Sequence, residues 1–381
     1  MELVLNRMSH RGPYSAAERR VVSLQGAAQA LAEMRRWDGY KTSPLRALSA
    51  LAQACALREI AYKDEAARFS LGSFKALGGG YAAGCELRRR LRGQFGIDAA
   101  LSDIYNGRHA AELAALTLCC ATDGNHGLAV AHAARQFGCR CVVFMHAHAP
   151  EHKAAAIRNQ GAEVRRTPGT YDDSVRVARE AVRDSSWVLI ADTSTADFEQ
   201  VPAEIIQGYA VMALELLDQF DGRAPTHVFV QGGVGGLAAA IAGSLAEAFG
   251  PQRPTLIVVE PETAACLMQS ARAGRAARIG GDQRTIMEML ACGEASPVAW
   301  TILHQRADAF ITIGDDAARD ALTQLHSGSA AGFPIEVGPS GAAGLAGLLE
   351  VVKQQALRKR LELGPEARVL VFGTEAGAAS S

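Results

Sequence analysis

The sequence lacks a long apolar run and an excess of charge of either sign. It has 39 Lys and Arg residues against 40 Asp and Glu residues, which gives a net charge of −1. Such a balance does not indicate binding to nucleic acid or to an anionic membrane surface. No apolar run reaches the ~18 residues of a membrane span, and the N-terminus lacks the apolar stretch and cleavage site of a signal peptide. We therefore expect a cytoplasmic protein with no nucleic-acid or membrane partner.

The 8 cysteines are scattered without the spacing of metal ligands. This pattern is typical of buried thiols in a reducing compartment, and it predicts no metal site. Cys266 and Cys292 flank a glycine-rich insertion and could be close in space. The sequence leaves open whether these two residues pair.

Strand-like and helix-like segments alternate along most of the 381 residues. Strands are predicted at 115–121, 140–145, 187–191, 226–231, 255–260, 309–313 and 367–372. Helices are predicted at 127–137, 171–183, 205–220, 237–249, 316–327 and 341–356, and the polar segment 99–111 is interpreted as an irregular surface insertion. This alternation indicates an α/β fold in which parallel sheets are covered on both faces. The length favours two domains, and we divide the chain into a larger domain of residues 1–85 and 190–381 and a smaller α/β domain of residues 86–189.

The segment from Arg68 to Tyr81 is the most informative part of the chain, because it places Lys75 just before three consecutive glycines. A lysine amine is nucleophilic only when it is deprotonated, and its ordinary pKa is about 10.4. Enzymes that use such an amine bury it, or hold it as a Schiff base with a carbonyl cofactor. We interpret the glycines as positions where the backbone approaches a flat or phosphorylated ligand closely.

A second polar segment, Thr122-Asp-Gly-Asn-His-Gly127, lies between a predicted strand and a predicted helix. Ligands of open α/β sheets bind at the carboxyl ends of strands, so Asp123, Asn125 and His126 are expected at a cleft. Asn125 can hold a phenolic oxygen in register. Asp123 is a candidate general acid or base, or a helix N-cap, and His126 is expected to have a structural role.

A third segment, Gln231-Gly-Gly-Val-Gly-Gly-Leu237, is again a glycine loop between a strand and a helix. Backbone N–H groups at the start of a helix bind phosphate. The same residues also fit a dinucleotide fingerprint, with Glu260 at about the distance of a ribose ligand. A nicotinamide site would leave Lys75 and the Asn125 segment unexplained, whereas a monophosphate site accounts for all three segments.

Together these segments resemble the fold-type II pyridoxal-phosphate enzymes of the tryptophan synthase β-like group, and within that group the diaminopropionate ammonia-lyase family. The resemblance covers nearly the whole chain. Further matching segments are Tyr171-Asp-Asp-Ser-Val175, Asp192-Thr193, Ile206-Gln-Gly-Tyr209, Val259-Glu-Pro261, Ala291-Cys-Gly-Glu294, Ser340-Gly-Ala342 and Thr374-Glu375. The resemblance implies two open parallel-sheet domains with pyridoxal 5'-phosphate in the cleft between them, and a homodimer.

The resemblance also implies roles for individual residues. Lys75 matches the Schiff-base lysine, and Asp123 and Asp192 match two carboxylates that abstract Cα protons from opposite stereoisomers. The residues implied to bind the cofactor, or to lie near the substrate in the case of Tyr171, are Phe74, Asn125, Gly232, Gly233, Val234, Gly235, Gly236, Leu237, Ser340, Thr374 and Tyr171. Ser340 and Thr374 are both candidates for the pyridine nitrogen, with an N-cap as the structural alternative for Ser340. Asp192 has a strand-end cap as its alternative.

Three departures from the family lie near the expected substrate side. The family's Ala-Trp-Glu-Gly-Tyr after Asp192-Thr193 is Ser194-Thr-Ala-Asp-Phe198 here, its Glu before Ser-Gly-Ala is Pro339, and its acidic C-terminal tail is missing. The cofactor chemistry is therefore better supported than the substrate. The implied activity is α,β-elimination of 2,3-diaminopropionate, or of a similar β-substituted alanine, to pyruvate and ammonia.

The sequence leaves several alternative functions open. A β-replacement synthase of the cysteine-synthase kind and a serine or threonine dehydratase-like deaminase would use the same cofactor. A nicotinamide dehydrogenase would use the dinucleotide fingerprint instead. A cofactor-binding protein without turnover would fit the altered substrate side.

Overall fold

The computed structural model describes residues 1–122, 124–169, 171–183, 185–195 and 197–377, with the backbone alone at position 172. The strands are β1 (Leu3–Leu5), β2 (Leu45–Ala47), β3 (Glu59–Asp64), β4 (Thr117–Ala121), β5 (Arg140–His146), β6 (Glu163–Thr167), β7 (Val188–Leu189), β8 (His227–Gln231), β9 (Thr255–Pro261), β10 (Ala309–Ile313) and β11 (Arg368–Gly373). The helices are α1 (Ala16–Val21), α2 (Leu24–Met34), α3 (Ser49–Ala54), α4 (Lys75–Phe95), α5 (Leu101–Tyr105), α6 (Ala110–Ala114), α7 (Asn125–Phe137), α8 (Glu151–Arg158), α9 (Tyr171–Arg183), α10 (Gln200–Gln219), α11 (Gly236–Phe249), α12 (Cys266–Ala273), α13 (Pro297–Arg306), α14 (Asp315–His326), α15 (Pro339–Val352) and α16 (Gln355–Arg360). Short 3-10 helices lie at Arg68–Ser70, Gly250–Gln252 and Glu288–Leu290.

The strands form two separate sheets. The larger sheet has the order β1-β10-β9-β8-β11-β3-β2, and the smaller one has the order β6-β5-β4-β7. All pairs are parallel except those of the two edge strands, β1 with β10 and β2 with β3. The predicted α/β class with two open, mostly parallel sheets is confirmed.

Strands of the larger sheet are buried on both faces. Val228 and Val230 of β8 pack in the same core cluster as α10 and α11, while Phe229 packs in the cluster that contains α15. Alternate residues of a strand point to opposite faces, so a continuous apolar run is what a doubly covered parallel strand requires. All four strands of the smaller sheet lie between residues 117 and 189. The domain division at 85/86 and 189/190 stays a prediction.

Two local expectations are wrong. The segment 99–111 is not irregular: it contains α5 and the start of α6, and Leu101 and Ile104 are buried. The glycines after Lys75 lie inside α4 and do not face a ligand. A Cβ on Gly78 would lie 2.6 Å from the carbonyl oxygen of Ile205 in α10, and one on Gly80 would lie 3.0 Å from the ring of Trp37. These glycines let neighbouring helices approach α4 closely.

A buried ionic cluster holds the segment that precedes Lys75. The Arg68 guanidinium donates to Glu65 and to Glu215 of α10 at 2.7 Å, and Lys63 donates to Glu215 at 2.8 Å. All four side chains are almost completely buried. Because each charge has a partner of opposite sign, the cluster avoids the cost of an isolated buried ion. It fixes the entry to α4 against α10.

Within the described ranges, no helix is both long and apolar enough to cross a membrane. All 8 cysteines lie in those ranges and are thiols. Cys266 and Cys292 therefore form no disulfide in this structure.

Candidate active site

A cleft with about 870 Å³ of empty space collects the polar segments that the sequence analysis singled out. Its lining comes from the N-terminus of α4, the turn between β4 and α7, the segment after β7, the loop between β8 and α11, and the end of β11. Four of these five segments follow the carboxyl ends of strands, which is where ligands of open α/β sheets bind.

Lys75 is the first residue of α4, and its side chain extends into the cleft. Its Nζ donates to Oδ2 of Asp192 at 2.8 Å, and the two side chains are 19% and 12% exposed. The same Nζ lies 5.6 Å from the ring centre of Phe74 and 5.8 Å from that of Tyr209. Lys75 is thus a largely enclosed amine with one carboxylate partner and two aromatic neighbours.

The ion pair sets the protonation of both partners. Burial lowers the pKa of Lys75, but the negative charge of Asp192, the hydrogen bond to it and the neighbouring Tyr209 together outweigh burial and raise that pKa well above its ordinary value. Burial raises the pKa of Asp192, but the positive charge of Lys75 and the hydrogen bond from it bring that pKa down to about 2. At neutral pH the pair therefore consists of an ammonium and a carboxylate. Asp192 is thus an ion-pair partner of Lys75.

Two buried polar atoms next to this pair have no hydrogen-bond partner among the described residues: the hydroxyl of Tyr209 and Nδ1 of His126. Both residues line the cleft. The Nε2 of His126 lies 2.7 Å from the carbonyl oxygen of Ile190, so it carries the hydrogen and Nδ1 is left as an acceptor. Burial lowers the pKa of His126 and favours this neutral form. Unsatisfied buried polar atoms are rare in proteins and indicate a ligand or a water at the site.

The glycine loop leads from β8 into α11. Gly233 and Gly235 have φ angles of +63° and +101°, a region that side chains rarely adopt, and Gly236 begins the helix. Gly232, Gly233, Val234, Gly236 and Leu237 line the cleft. The N–H of Gly235 donates to the carbonyl oxygen of Gly232 at 3.3 Å inside the loop. The N-terminus of a 14-residue helix therefore faces the cleft, as an anion site requires.

Glu260 has no free oxygen for a ribose. Its side chain is completely buried, and its two carboxylate oxygens accept from the N–H groups of Leu267 and Met268 at 2.8 and 2.7 Å. Burial raises the pKa of Glu260 to about 8, although these two hydrogen bonds act to lower it. The carboxyl group thus caps α12, so Glu260 is not available to bind the ribose of a dinucleotide.

Asn125 begins α7 and lines the cleft. Its Nδ2 donates to Oε2 of Glu375 at 2.7 Å. Ser340 and Thr374 are both buried at the same end of the cleft. The Oγ of Ser340 accepts from the N–H of Met289 at 3.1 Å. Gly338 is the N-cap of α15, so the N-cap alternative for Ser340 is wrong.

The cleft brings together all but two of the residues that the sequence analysis predicted. Tyr171 lines it at the start of α9. Gly235 does not line the cleft, because a Cβ at this position would point at Leu303 and the side chains packed around it. Asp123 lies outside the described residues. Sequence reasoning assigned no role to Tyr209 or Glu375, although both stand in segments that match the family.

The residues present fit pyridoxal phosphate. A buried amine, a helix N-terminus that can take a phosphate, an amide, two hydroxyls and an unsatisfied tyrosine hydroxyl converge on one cleft. These groups can bind the aldehyde, the phosphate, the phenolic oxygen and the ring nitrogen of pyridoxal phosphate.

Comparison with known proteins agrees with this chemistry. A family model described as pyridoxal-phosphate dependent enzyme matches residues 36–375. Diaminopropionate ammonia-lyase of Escherichia coli (strain K12) is 37% identical over 343 residues, which cover 88% of this chain and 85% of the relative. Crystal structures of the Escherichia coli enzyme with an aminoacrylate-PLP azomethine reaction intermediate and with D-serine match with TM-scores of 0.87 and 0.86 and identities of 33% and 32%, over 98% of this chain and 93% of each solved chain. The chain belongs to the pyridoxal-phosphate dependent enzymes and, among them, to the diaminopropionate ammonia-lyase family.

Proposed function

We propose that this protein catalyses the α,β-elimination of 2,3-diaminopropionate to pyruvate and ammonia with pyridoxal phosphate as its cofactor. The observation that carries the proposal is the Lys75–Asp192 pair in a cleft that also contains the N-terminus of α11. Membership of the diaminopropionate ammonia-lyase family supports the substrate.

Each group of the cofactor has a candidate partner in the cleft. Lys75 would bind the aldehyde carbon, and the loop from Gly232 to Leu237 would bind the phosphate through N–H groups at the start of α11. Phe74 would pack beside the ring, and Asn125 would donate to the ring oxygen. The ring nitrogen would face a neutral hydroxyl, from Ser340 or Thr374. When it is bound, pyridoxal phosphate withdraws electrons from the Cα of the amino acid.

We propose that Asp192 and Lys75 move protons in the reaction. A general base must lie within about 2.6–3.2 Å of its partner or one water away. The 2.8 Å hydrogen bond between Lys75 and Asp192 would allow a proton to pass between these two groups. Asp192 would take the Cα proton of the L isomer. The released Lys75 amine, or a carboxylate, would protonate the β-amino leaving group. Enclosure of both side chains excludes bulk water from these transfers.

The activity is tested with purified protein reconstituted with pyridoxal phosphate and a panel of D- and L-β-substituted alanines, including D-serine. We expect pyruvate and ammonia from diaminopropionate without any added nucleophile. Turnover only after addition of a thiol, with an S-substituted cysteine and ammonia as products and no pyruvate, would instead indicate β-replacement. Preferential turnover of D-serine would indicate a dehydratase. No product from any member of the panel would leave a cofactor-binding protein without turnover.

We further propose that Asp123 and Asp192 serve opposite stereoisomers, with Asp123 acting on the D substrate. The two faces of Cα meet different surroundings, so one carboxylate does not reach both. Asp123→Asn and Asp192→Asn should each impair one isomer far more than the other. Equal loss of both isomers in both variants would contradict this division.

We also propose that the protein is a homodimer, as the family resemblance implies. Sedimentation equilibrium of the full chain tests this proposal. A monomer at all concentrations would contradict it.

A further inference from the structure

The side chain of Glu375 contacts the residue assigned to the cofactor's ring oxygen. Oε2 of Glu375 lies 2.7 Å from Nδ2 of Asn125. The two residues are 250 positions apart in the chain, and both line the cleft. Neither the family comparison nor the sequence analysis assigns a role to Glu375.

The chemistry of a carboxylate restricts how the Asn125 amide can be oriented. An ionised carboxyl group only accepts hydrogen bonds, whereas an asparagine amide has one accepting end and one donating end. The Oδ1 end of Asn125 would repel Glu375, so the NH₂ group must face it. An NH₂ group carries two hydrogens, and Glu375 takes only one. The second hydrogen remains for another acceptor in the cleft.

The backbone holds Glu375 firmly in place. Glu375 pairs with Ser73 in an antiparallel bridge, and its carbonyl oxygen accepts from the N–H of Gly338 at 3.2 Å. A Cβ on Gly338 would lie 2.7 Å from Oε1 of Glu375, so only a glycine at 338 leaves room for this carboxyl group. Glu375 is therefore held to the segment that carries Lys75 through its backbone, and to Asn125 through its carboxyl group.

The surroundings of Glu375 act on its ionisation in opposite directions. Burial raises its pKa, while the positive charge of Lys153 and hydrogen bonds from Asn125 and Ser340 oppose the rise. Each of those partners favours the ionised form. Burial nevertheless keeps the pKa of Glu375 above its ordinary value. The orientation of the amide follows from the 2.7 Å contact between Nδ2 of Asn125 and Oε2 of Glu375.

We propose that Glu375 is a positioning residue that holds the NH₂ end of Asn125 toward the cleft, so that Asn125 donates to the ring oxygen of pyridoxal phosphate. This inference rests on the proposed function for its cofactor. A glutamine at 375 would accept from Asn125 in one orientation and donate to it in the other. Asn125 would then present its carbonyl oxygen to the ring oxygen part of the time, and two acceptors would face each other.

The test measures binding of pyridoxal phosphate to the cofactor-free protein by absorbance and by fluorescence. Glu375→Gln should weaken binding about tenfold or more, which is the size of one charge-assisted hydrogen bond. It should also shift the absorbance of the bound cofactor toward the form with a protonated ring oxygen. Glu375→Asp keeps the charge but shortens the side chain by one methylene, and should weaken binding similarly. Glu366→Gln is the matched control, because Glu366 is an exposed carboxylate that pairs with Arg58 at 2.6 Å, away from the cleft.

A double-mutant cycle with Asn125→Ala separates positioning from a general structural effect. If Glu375 acts through Asn125, the double variant should bind the cofactor as well as Asn125→Ala alone. Losses that multiply, or unchanged binding and absorbance in Glu375→Gln, would overturn the proposal. Failure of the unmodified protein to bind pyridoxal phosphate would refute the proposed function instead.

Discussion

Replacing Asp192 with asparagine should make the Lys75 amine more reactive while making the enzyme a poorer catalyst. The Asp192 carboxylate raises the pKa of Lys75 above its ordinary value, so very little of the amine is neutral at mildly alkaline pH. Only the neutral amine attacks an aldehyde. Removal of the carboxylate leaves burial, which lowers the pKa of Lys75. The neutral fraction must then rise.

The magnitude follows from the geometry of the pair. Two unit charges about 4 Å apart interact with about 4 kcal/mol at an effective dielectric constant of about 20, and 1.36 kcal/mol corresponds to one pKa unit. Asp192→Asn should therefore lower the pKa of Lys75 by up to about 3 pKa units. We expect the cofactor-free variant to capture pyridoxal phosphate at least about tenfold faster at mildly alkaline pH, since the neutral fraction changes tenfold per unit.

The assay follows the absorbance of bound cofactor after mixing, over a range of pH, and borohydride reduction with peptide mapping identifies the lysine. Asp316→Asn provides the control, because Asp316 is an exposed surface carboxylate in α14. The pH midpoint of capture should fall in Asp192→Asn and stay unchanged in the control. An unchanged midpoint in Asp192→Asn, or label on a lysine other than Lys75, would refute the reasoning.

Four further substitutions test the packing of α4, the glycine loop and the cap of α12. Gly78→Ala should destabilise the protein by about 1–3 kcal/mol in chemical denaturation, since it overpacks the contact between α4 and α10. In the same helix Gly93 has open space around it, so Gly93→Ala should stabilise by about 0.5–1 kcal/mol; similar effects of both changes would contradict the packing role. Gly235→Val should lower cofactor affinity more than tenfold in equilibrium dialysis, because its positive φ shapes the loop, and unaltered affinity would count against the phosphate site. Glu260→Gln should cost about 1–3 kcal/mol of unfolding free energy above about pH 8, where the carboxyl group is ionised, by setting an NH₂ group against a backbone N–H; a stable variant at that pH would show that the cap of α12 is dispensable.

The sequence predicts the central strands well, because a parallel strand that is covered on both faces must be apolar throughout. The predicted strand at 309–313 is β10, and the predicted helix at 171–183 is α9. The edge strands could not be predicted in this way. The 3 residues of β1 become a strand only because Leu3 to Leu5 pair with Ala309 to Ile311 of β10, which lie some 300 positions away along the chain.

The residues of the cleft also differ in whether the sequence around them predicts their role. Lys75, Asn125 and the glycine loop stand out because each combines a chemically useful residue with a strand end or a helix start. Tyr209 has no such local signal, because it lies in the middle of α10 and reaches the cleft only through the close crossing of α10 with α4. Glu375 likewise gains its place only when residues 374–376 pair with residues 72–74.

The departure from the family after Asp192 can be understood from the contacts of Ser194. Its Oγ lies 3.0 Å from the hydroxyl of Ser296 and accepts from the N–H of Val298 at 3.0 Å. Val298 is the second residue of α13, whose first N–H groups have no partner inside the helix. The hydroxyl therefore satisfies one of those groups and ties the segment that carries Asp192 to the larger sheet's domain. The hydroxyl of Ser194, two residues after the proposed base, thus holds this segment against the start of α13, so the contact depends on a residue that departs from the family segment.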